Sequence, residues 1–114
     1  MSNYTDKSLL FFEQVYDIVR LIPKGRATTY GAIAFALGAK KSSRMVGYAM
    51  NFSHSLRPKI PAHRVVNRNG MLSGKHHFYP PQSMQQALEK EGIIVINDTI
   101  QNFKAVFWDA GVEL

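Results

Sequence analysis

The chain has 114 residues, 46% of them apolar, which suffices for one compact core and predicts a single domain over 1–114. It has no cysteine, which excludes disulfides and thiolate metal sites and fits a cytoplasmic protein (nucleoid-associated in a bacterium, nuclear in a eukaryote). The net charge is +6, yet all eight acids lie outside the window from Ile18 to Leu88, while Arg20, Lys24, Arg26, Lys40, Lys41, Arg44, Arg57, Lys59, Arg64, Arg68 and Lys75 lie inside it. Segregation of that kind is the electrostatic footprint of a phosphate-binding surface.

The apolar stretches are short and broken by charges, so no membrane span is expected. The polar start Met1-Ser2-Asn3-Tyr4-Thr5-Asp6 does not read as a secretory leader. From about Asp6 to Leu21, Leu10, Phe11, Val15, Ile18 and Val19 recur at helical spacing, and Pro23-Lys24-Gly25 ends the run. Thr28 or Thr29 is placed to cap a second helix from Tyr30 to about Leu37, closed by Gly38. Ser42 or Ser43 is placed to cap a third, through Arg44 and Met50 to about Asn51. Two short helices around a glycine-containing turn form the helix-turn-helix pattern. Pro58 and Pro61 predict an extended loop. Val65-Val66 and Met71-Leu72 flank Asn67-Arg68-Asn69-Gly70 and predict a short hairpin. A helix from about Gln82 to Glu91 follows Pro80-Pro81 and ends at Gly92, and Ile93 to Ile96 reads as extended. Phe103, Val106, Phe107 and Trp108 are expected to close the core. The predicted fold class is α+β, a small winged helix-turn-helix domain.

The run Pro61-Ala62-His63-Arg64-Val65-Val66 resembles the active-site signature of the O6-alkylguanine-DNA alkyltransferases, in which a cysteine separates proline from histidine. In those enzymes the cysteine accepts the alkyl group as a thiolate, the only strongly nucleophilic form of the side chain. A methyl side chain at Ala62 cannot do so. The chain therefore resembles the alkyltransferase-like proteins, which bind alkylated guanine without repairing it. The resemblance continues from about Phe12 onward and implies the fold of the enzymes' C-terminal domain, without the N-terminal domain that most of them carry. By the same resemblance Thr29 and Tyr30 stand at the first helix of the motif, where tyrosine presses on the phosphate 3′ of the target nucleotide. Lys41, Ser42, Ser43, Arg44 and Gly47 match the recognition helix, with Arg44 as the finger that fills the gap left by a flipped base through the minor groove. Pro61, Ala62, His63, Val65, Leu72 and Ser73, with Tyr30, match the alkylguanine pocket, and Glu91-Gly92 matches the pair whose carboxylate orients the histidine. The implied partners are duplex DNA carrying O6-alkylguanine and, further on, nucleotide excision repair proteins, met by a monomer; no cofactor or metal is expected.

These residue types suit the task physically. A base must leave the stack to be inspected in a closed pocket, at a cost of a few kcal/mol that is smaller when its pairing is already damaged. Alkylation at O6 removes the N1 hydrogen of guanine and lowers its own extraction cost. A planar arginine suits the vacated stack. Small residues along the third helix permit close approach to a narrow groove, whereas a major-groove reader presents long polar side chains. Two departures from the enzymes stand out. Ser53 occupies the place of a hinge asparagine, in a loop one residue longer. Leu72 replaces a tyrosine that donates to guanine O6. Tryptophan stands at the position of Ala62 in some alkyltransferase-like proteins, so a roomier floor is expected here.

Plainer readings of single residues stand beside these. Tyr30 suits a half-buried packing role, Arg44 a solvated helix charge, His63 a hydrogen bond within the pocket floor, and Arg64 a brace for the pocket loop. His54, His76 and His77 lack carboxylates at metal-ligand spacing. Two other functions remain open from sequence: a methyltransferase inactivated by a Cys-to-Ala replacement, and a winged-helix transcription factor.

Overall fold

The first helix, α1, spans Asp6–Leu21 in the computed structural model, which describes residues 5–113. The N-terminal stretch discussed above lies mostly outside those residues. Thr5 starts α1 by accepting the Ser8 N–H on its side chain at 3.1 Å, with Asp6 in the first turn and Arg20 in the last, as the helix dipole favours. Phe12, Val15, Tyr16, Ile18 and Val19 form its buried stripe. No helix among the described residues is long and apolar enough to cross a membrane.

A two-residue strand, β1 (Thr28–Thr29), leads directly into α2 (Tyr30–Ala36). The Thr29 hydroxyl caps α2 by accepting the Ala32 N–H at 3.0 Å, so one residue is both strand end and helix cap. Gly38 takes the left-handed conformation that ends the segment (φ 72°). Helix α3 spans Ser43–Phe52. Its cap position is Ser42, as the sequence suggests, but no side-chain bond is made there. The Ser42 carbonyl accepts the Val46 N–H instead. Helices α1, α2 and α3 share one core with Trp108 and Ala110, and the Tyr16 hydroxyl donates to the Ala49 carbonyl across it at 2.7 Å.

The expected hairpin at 65–72 is not what forms. Strand β2 (Val65–Val66) pairs in parallel with β1, Thr28 against Val65 and Thr29 against Val66. The Asn67 side-chain carbonyl does organise a turn by accepting the Asn69 and Met71 N–H groups, each at 2.9 Å. Met71 then bridges to Thr99. The hairpin of the domain is β3 (Val95–Ile96) with β4 (Thr99–Ile100), and its tight turn has Asn97 and Asp98 at φ 52° and 60°. Positive φ at both central residues suits the right-handed twist of a two-residue hairpin, and Asn and Asp tolerate it better than other side chains.

Helix α4 (Gln82–Lys90) ends at Gly92, whose φ of 87° lets its N–H reach the Glu89 carbonyl at 3.0 Å. Met84 and Leu88 of α4 pack with Val66, Leu72, Ile93, Val95 and Ile100 in a second core. Two single-turn helices, α5 (Phe103–Val106) and α6 (Ala110–Glu113), complete the chain. Of the C-terminal aromatics Trp108 is buried, whereas Phe103 and Phe107 are half-buried, with their rings tilted against each other at 5.6 Å. The whole is an α+β winged helix-turn-helix.

Candidate nucleic-acid interface

Four of the basic side chains in the acid-free window are tied to acids from outside it. Arg20 pairs with Asp17, Arg26 with Glu113, Arg64 with Glu91 and Lys75 with Asp98. Lys24, Lys40, Lys41, Arg44, Arg57, Lys59 and Arg68 are exposed and have no acidic partner among the described residues. Those charges remain available to a polyanion.

Arg44 and Lys41 stand at the exposed N-terminal end of α3, with Ser43 beside them, Ser42 half-buried and Gly47 one turn on. Between α3 and the start of α2 lies an open cleft of about 440 Å³, lined by Tyr30, Ser43, Arg44, Gly47, Ser73 and Gly74 among others. That volume lies in the range of small-molecule sites. A Cβ added at Gly74 would sit 2.9 Å from the Tyr30 hydroxyl, so the absent side chain is what admits the tyrosine there. Thr29 lies under α2 as its cap and does not face this cleft, being 8% exposed.

Behind Tyr30 the cleft narrows to a space of about 10 Å³ bounded by Met50, His54, Ala62, Val65, Phe78 and Met84. The space on the Tyr30 side of Ala62 is therefore small, and the room expected at this floor lies on its other side. Met50, Met84 and Phe78 share the walls of that small space with Ala62, and methionine readily fills irregular gaps. A third cavity of about 300 Å³ opens on the far side, bordered by His54, Lys59, Ala62, His63, His77 and Phe78. Leu72 is a second correction. It is 2% exposed in the second core and borders a different cavity with Lys75 and Gln82, so it is no wall of the space at Ala62. The parallel pairing of β2 draws the following loop toward β4, where the Leu72 N–H donates to the Asp98 carbonyl.

A short 3-10 turn carries Ala62, His63 and Arg64, with half-buried Pro61 before it. Glu91, at the end of α4, receives His63 Nε2 at 2.6 Å, Arg64 through Nε and Nη2 at 2.8–3.1 Å, and the Gly25 N–H at 2.9 Å. Arg64 Nη1 also donates to the Ile22 carbonyl at 2.8 Å. Burial alone would raise the Glu91 pKa, but the bonds from Arg64, Gly25 and His63 outweigh it and hold the pKa at about 2. The carboxylate thus joins α1's end, the Ala62 turn and α4 at one point. Arg64 serves as a brace, in keeping with its plainer reading. Ser53 is buried and donates to the Met50 carbonyl at 2.6 Å, closing α3 where the enzymes have their hinge asparagine.

His54, His77 and Phe78 escaped the sequence reading as pocket residues. His54 packs edge-on against Phe78 at 4.5 Å, and His77 borders all three spaces. The run Lys75-His76-His77-Phe78 carries no motif, and only its 3-10 turn brings the second histidine to the cleft. Among the described residues no group of three or more His, Asp or Glu could hold a metal.

The sequence profile of the 6-O-methylguanine DNA methyltransferase DNA-binding domain matches residues 10–93. Alkyltransferase-like protein 1 of Schizosaccharomyces pombe is 35% identical over 94 residues, covering 82% of this chain and 86% of that protein. A DNA base-flipping protein of Escherichia coli is 37% identical over 92 residues, covering 79% of this chain and 67% of its own. Among solved structures, S. pombe Atl1 in complex with damaged DNA containing O6-carboxymethylguanine superposes with a TM-score of 0.75 at 32% identity, over 92% of this chain and 97% of that one. Mycobacterium tuberculosis OGT in complex with DNA superposes with a TM-score of 0.62 at 31% identity, over 78% of this chain and 51% of the other. The chain belongs to the 6-O-methylguanine DNA methyltransferase family through its DNA-binding domain, and within it is similar to the alkyltransferase-like proteins.

Proposed function

We propose that this protein senses O6-alkylguanine in duplex DNA, binding the damaged nucleotide without removing the alkyl group. The observation that carries the reading is Ala62 beside a retained His63, Arg64 and Glu91. His63, Arg64 and Glu91 are bonded together around a position whose side chain has no nucleophile. The similar S. pombe protein, crystallised with damaged DNA, supports the same partner here.

Arg44 enters from the minor groove and fills the stack vacated by the base, and Tyr30 presses on the backbone beside it. The extruded nucleotide lies in the cleft between α2 and α3, with Ser73 and Gly74 as its far wall. Met50, Met84 and Phe78 shift to let the O6 substituent approach Ala62. Lys41 and the other unpaired cations hold the phosphates and set a salt-dependent affinity common to damaged and plain DNA. The complex, formed by a monomer, marks the lesion for nucleotide excision repair.

A fluorescent base analogue that brightens when unstacked, placed at the target position, tests the extrusion step. Wild-type protein is expected to raise its signal and Arg44→Ala to abolish most of the rise. An equal rise with both proteins would return Arg44 to a helix-surface charge.

A further inference from the structure

The cavity beyond Ala62 differs from the outer cleft in its chemistry. Among the side chains on its walls are His54, Lys59, His63 and His77, and none is acidic. Glu91, beside His63, is already committed to Arg64, Gly25 and His63. Lys59 is exposed and makes no ion pair among the described residues, and Arg57 adds a further cation through its bond to the His54 carbonyl at 3.1 Å. Burial, then His77, then Lys59 lower the pKa of His54, so these groups resist one another's charge. An anion among them would relieve that repulsion. The wall hydroxyls of Ser53 and Ser83 are spent on the carbonyls of Met50 and Pro80, which leaves the nitrogens and the Tyr79 hydroxyl as the available donors.

The geometry also gives a route in. Ala62, His54, His77 and Phe78 border both this cavity and the narrow space behind Tyr30. A substituent reaching past the methyl of Ala62 enters the cationic chamber, and a large side chain at that position would stand in its mouth.

We propose that this chamber receives the acidic end of an O6 substituent, so that the protein prefers adducts ending in a carboxylate to neutral adducts of the same size. The inference rests on the sensor reading above and assigns the selectivity to His54, His77 and Lys59. A carboxylate gaining one charge-assisted hydrogen bond that an amide lacks is favoured by about 1.5 kcal/mol or more, roughly tenfold in affinity. The preference grows as pH falls, because His54, held below the ordinary histidine value by burial and by the neighbouring His77 and Lys59, gains charge only in acid.

The test is a titration of three duplexes of one sequence, carrying O6-carboxymethylguanine, its neutral primary amide, or plain guanine, at about pH 5 and about pH 8. The expected result is a carboxylate-to-amide affinity ratio near tenfold at the lower pH, smaller at the higher, and reduced toward one by Lys59→Gln together with His54→Gln. The amide duplex serves as the internal control for any loss of general binding or folding in the variant. Equal affinity for acid and amide at both pH values, with both above plain DNA, overturns the charge selectivity and leaves the sensor reading intact. Equal affinity for all three duplexes overturns both.

Discussion

Two charged regions of this molecule are arranged in opposite ways. At the Ala62 turn, Glu91, Arg64 and His63 are mostly buried and satisfy one another. At the start of α3, Arg44 and Lys41 are exposed and have no acidic partner. The first region turns its charge inward and fixes where three segments meet, so its removal is felt as lost folding. The second leaves its charge free for something outside the chain, so its removal is expected to be felt as lost binding. His63 and Glu91 are thus held in the structure by each other and by Arg64 with no cysteine beside them.

The largest effect expected from this contrast is on folding. Glu91→Ala strands Arg64 and the Gly25 N–H, and is expected to cost on the order of 3 kcal/mol in denaturant unfolding. Arg44→Ala is expected to change stability by no more than about 0.5 kcal/mol. Comparable losses for the two would erase the distinction between the regions.

Acid sharpens it further. The Glu91 pKa is depressed to about 2 in the folded state, below the value of 4.5 for a free glutamate. Its contribution is thus fully present above about pH 5 and is lost as pH falls toward 2, as the unfolded chain takes up the proton first. Unfolding of the wild type across that window should show this loss, and Glu91→Gln should flatten the slope.

Effects on binding come next. Arg44→Ala should remove roughly tenfold or more of the affinity for an O6-methylguanine duplex while affecting plain DNA much less, as read by competition titration. Lys41→Ala should weaken both duplexes alike and reduce the slope of log affinity against log salt by about one. The smallest change concerns Gly74, where an added Cβ meets the Tyr30 hydroxyl. Gly74→Ala should weaken lesion binding a few-fold, and Tyr30→Phe in the same chain should restore part of it, since the hydroxyl is the atom in the way.

Much of this was legible in the sequence because it is local. The apolar spacing of α1, the Thr29 cap before Tyr30 and the glycine ending α4 each act within a few residues, and each forms as expected. The match of His63 with Glu91 was legible too, since the two side chains meet at 2.6 Å. What failed depends on distant segments. Val65-Val66 carries good hairpin signals, but β1 offers a parallel partner that no local pattern reveals. That pairing sends Leu72 into the second core and away from Ala62. How the volume at Ala62 is divided between its two sides likewise depends on Met50, Met84 and Phe78, and residue size at one position does not report it. His54 and His77 carry no motif and gain meaning only from the cavity they share.

The central claim is recognition without repair, and one incubation tests it most directly. The protein is mixed with equal amounts of O6-methylguanine duplex and plain duplex in competition, and afterwards the bound fraction, the protein mass and the base composition are measured. The account predicts preferential retention of the damaged duplex, an unchanged protein mass and intact O6-methylguanine. Equal retention of both duplexes, or a protein heavier by one methyl with guanine restored, would contradict it.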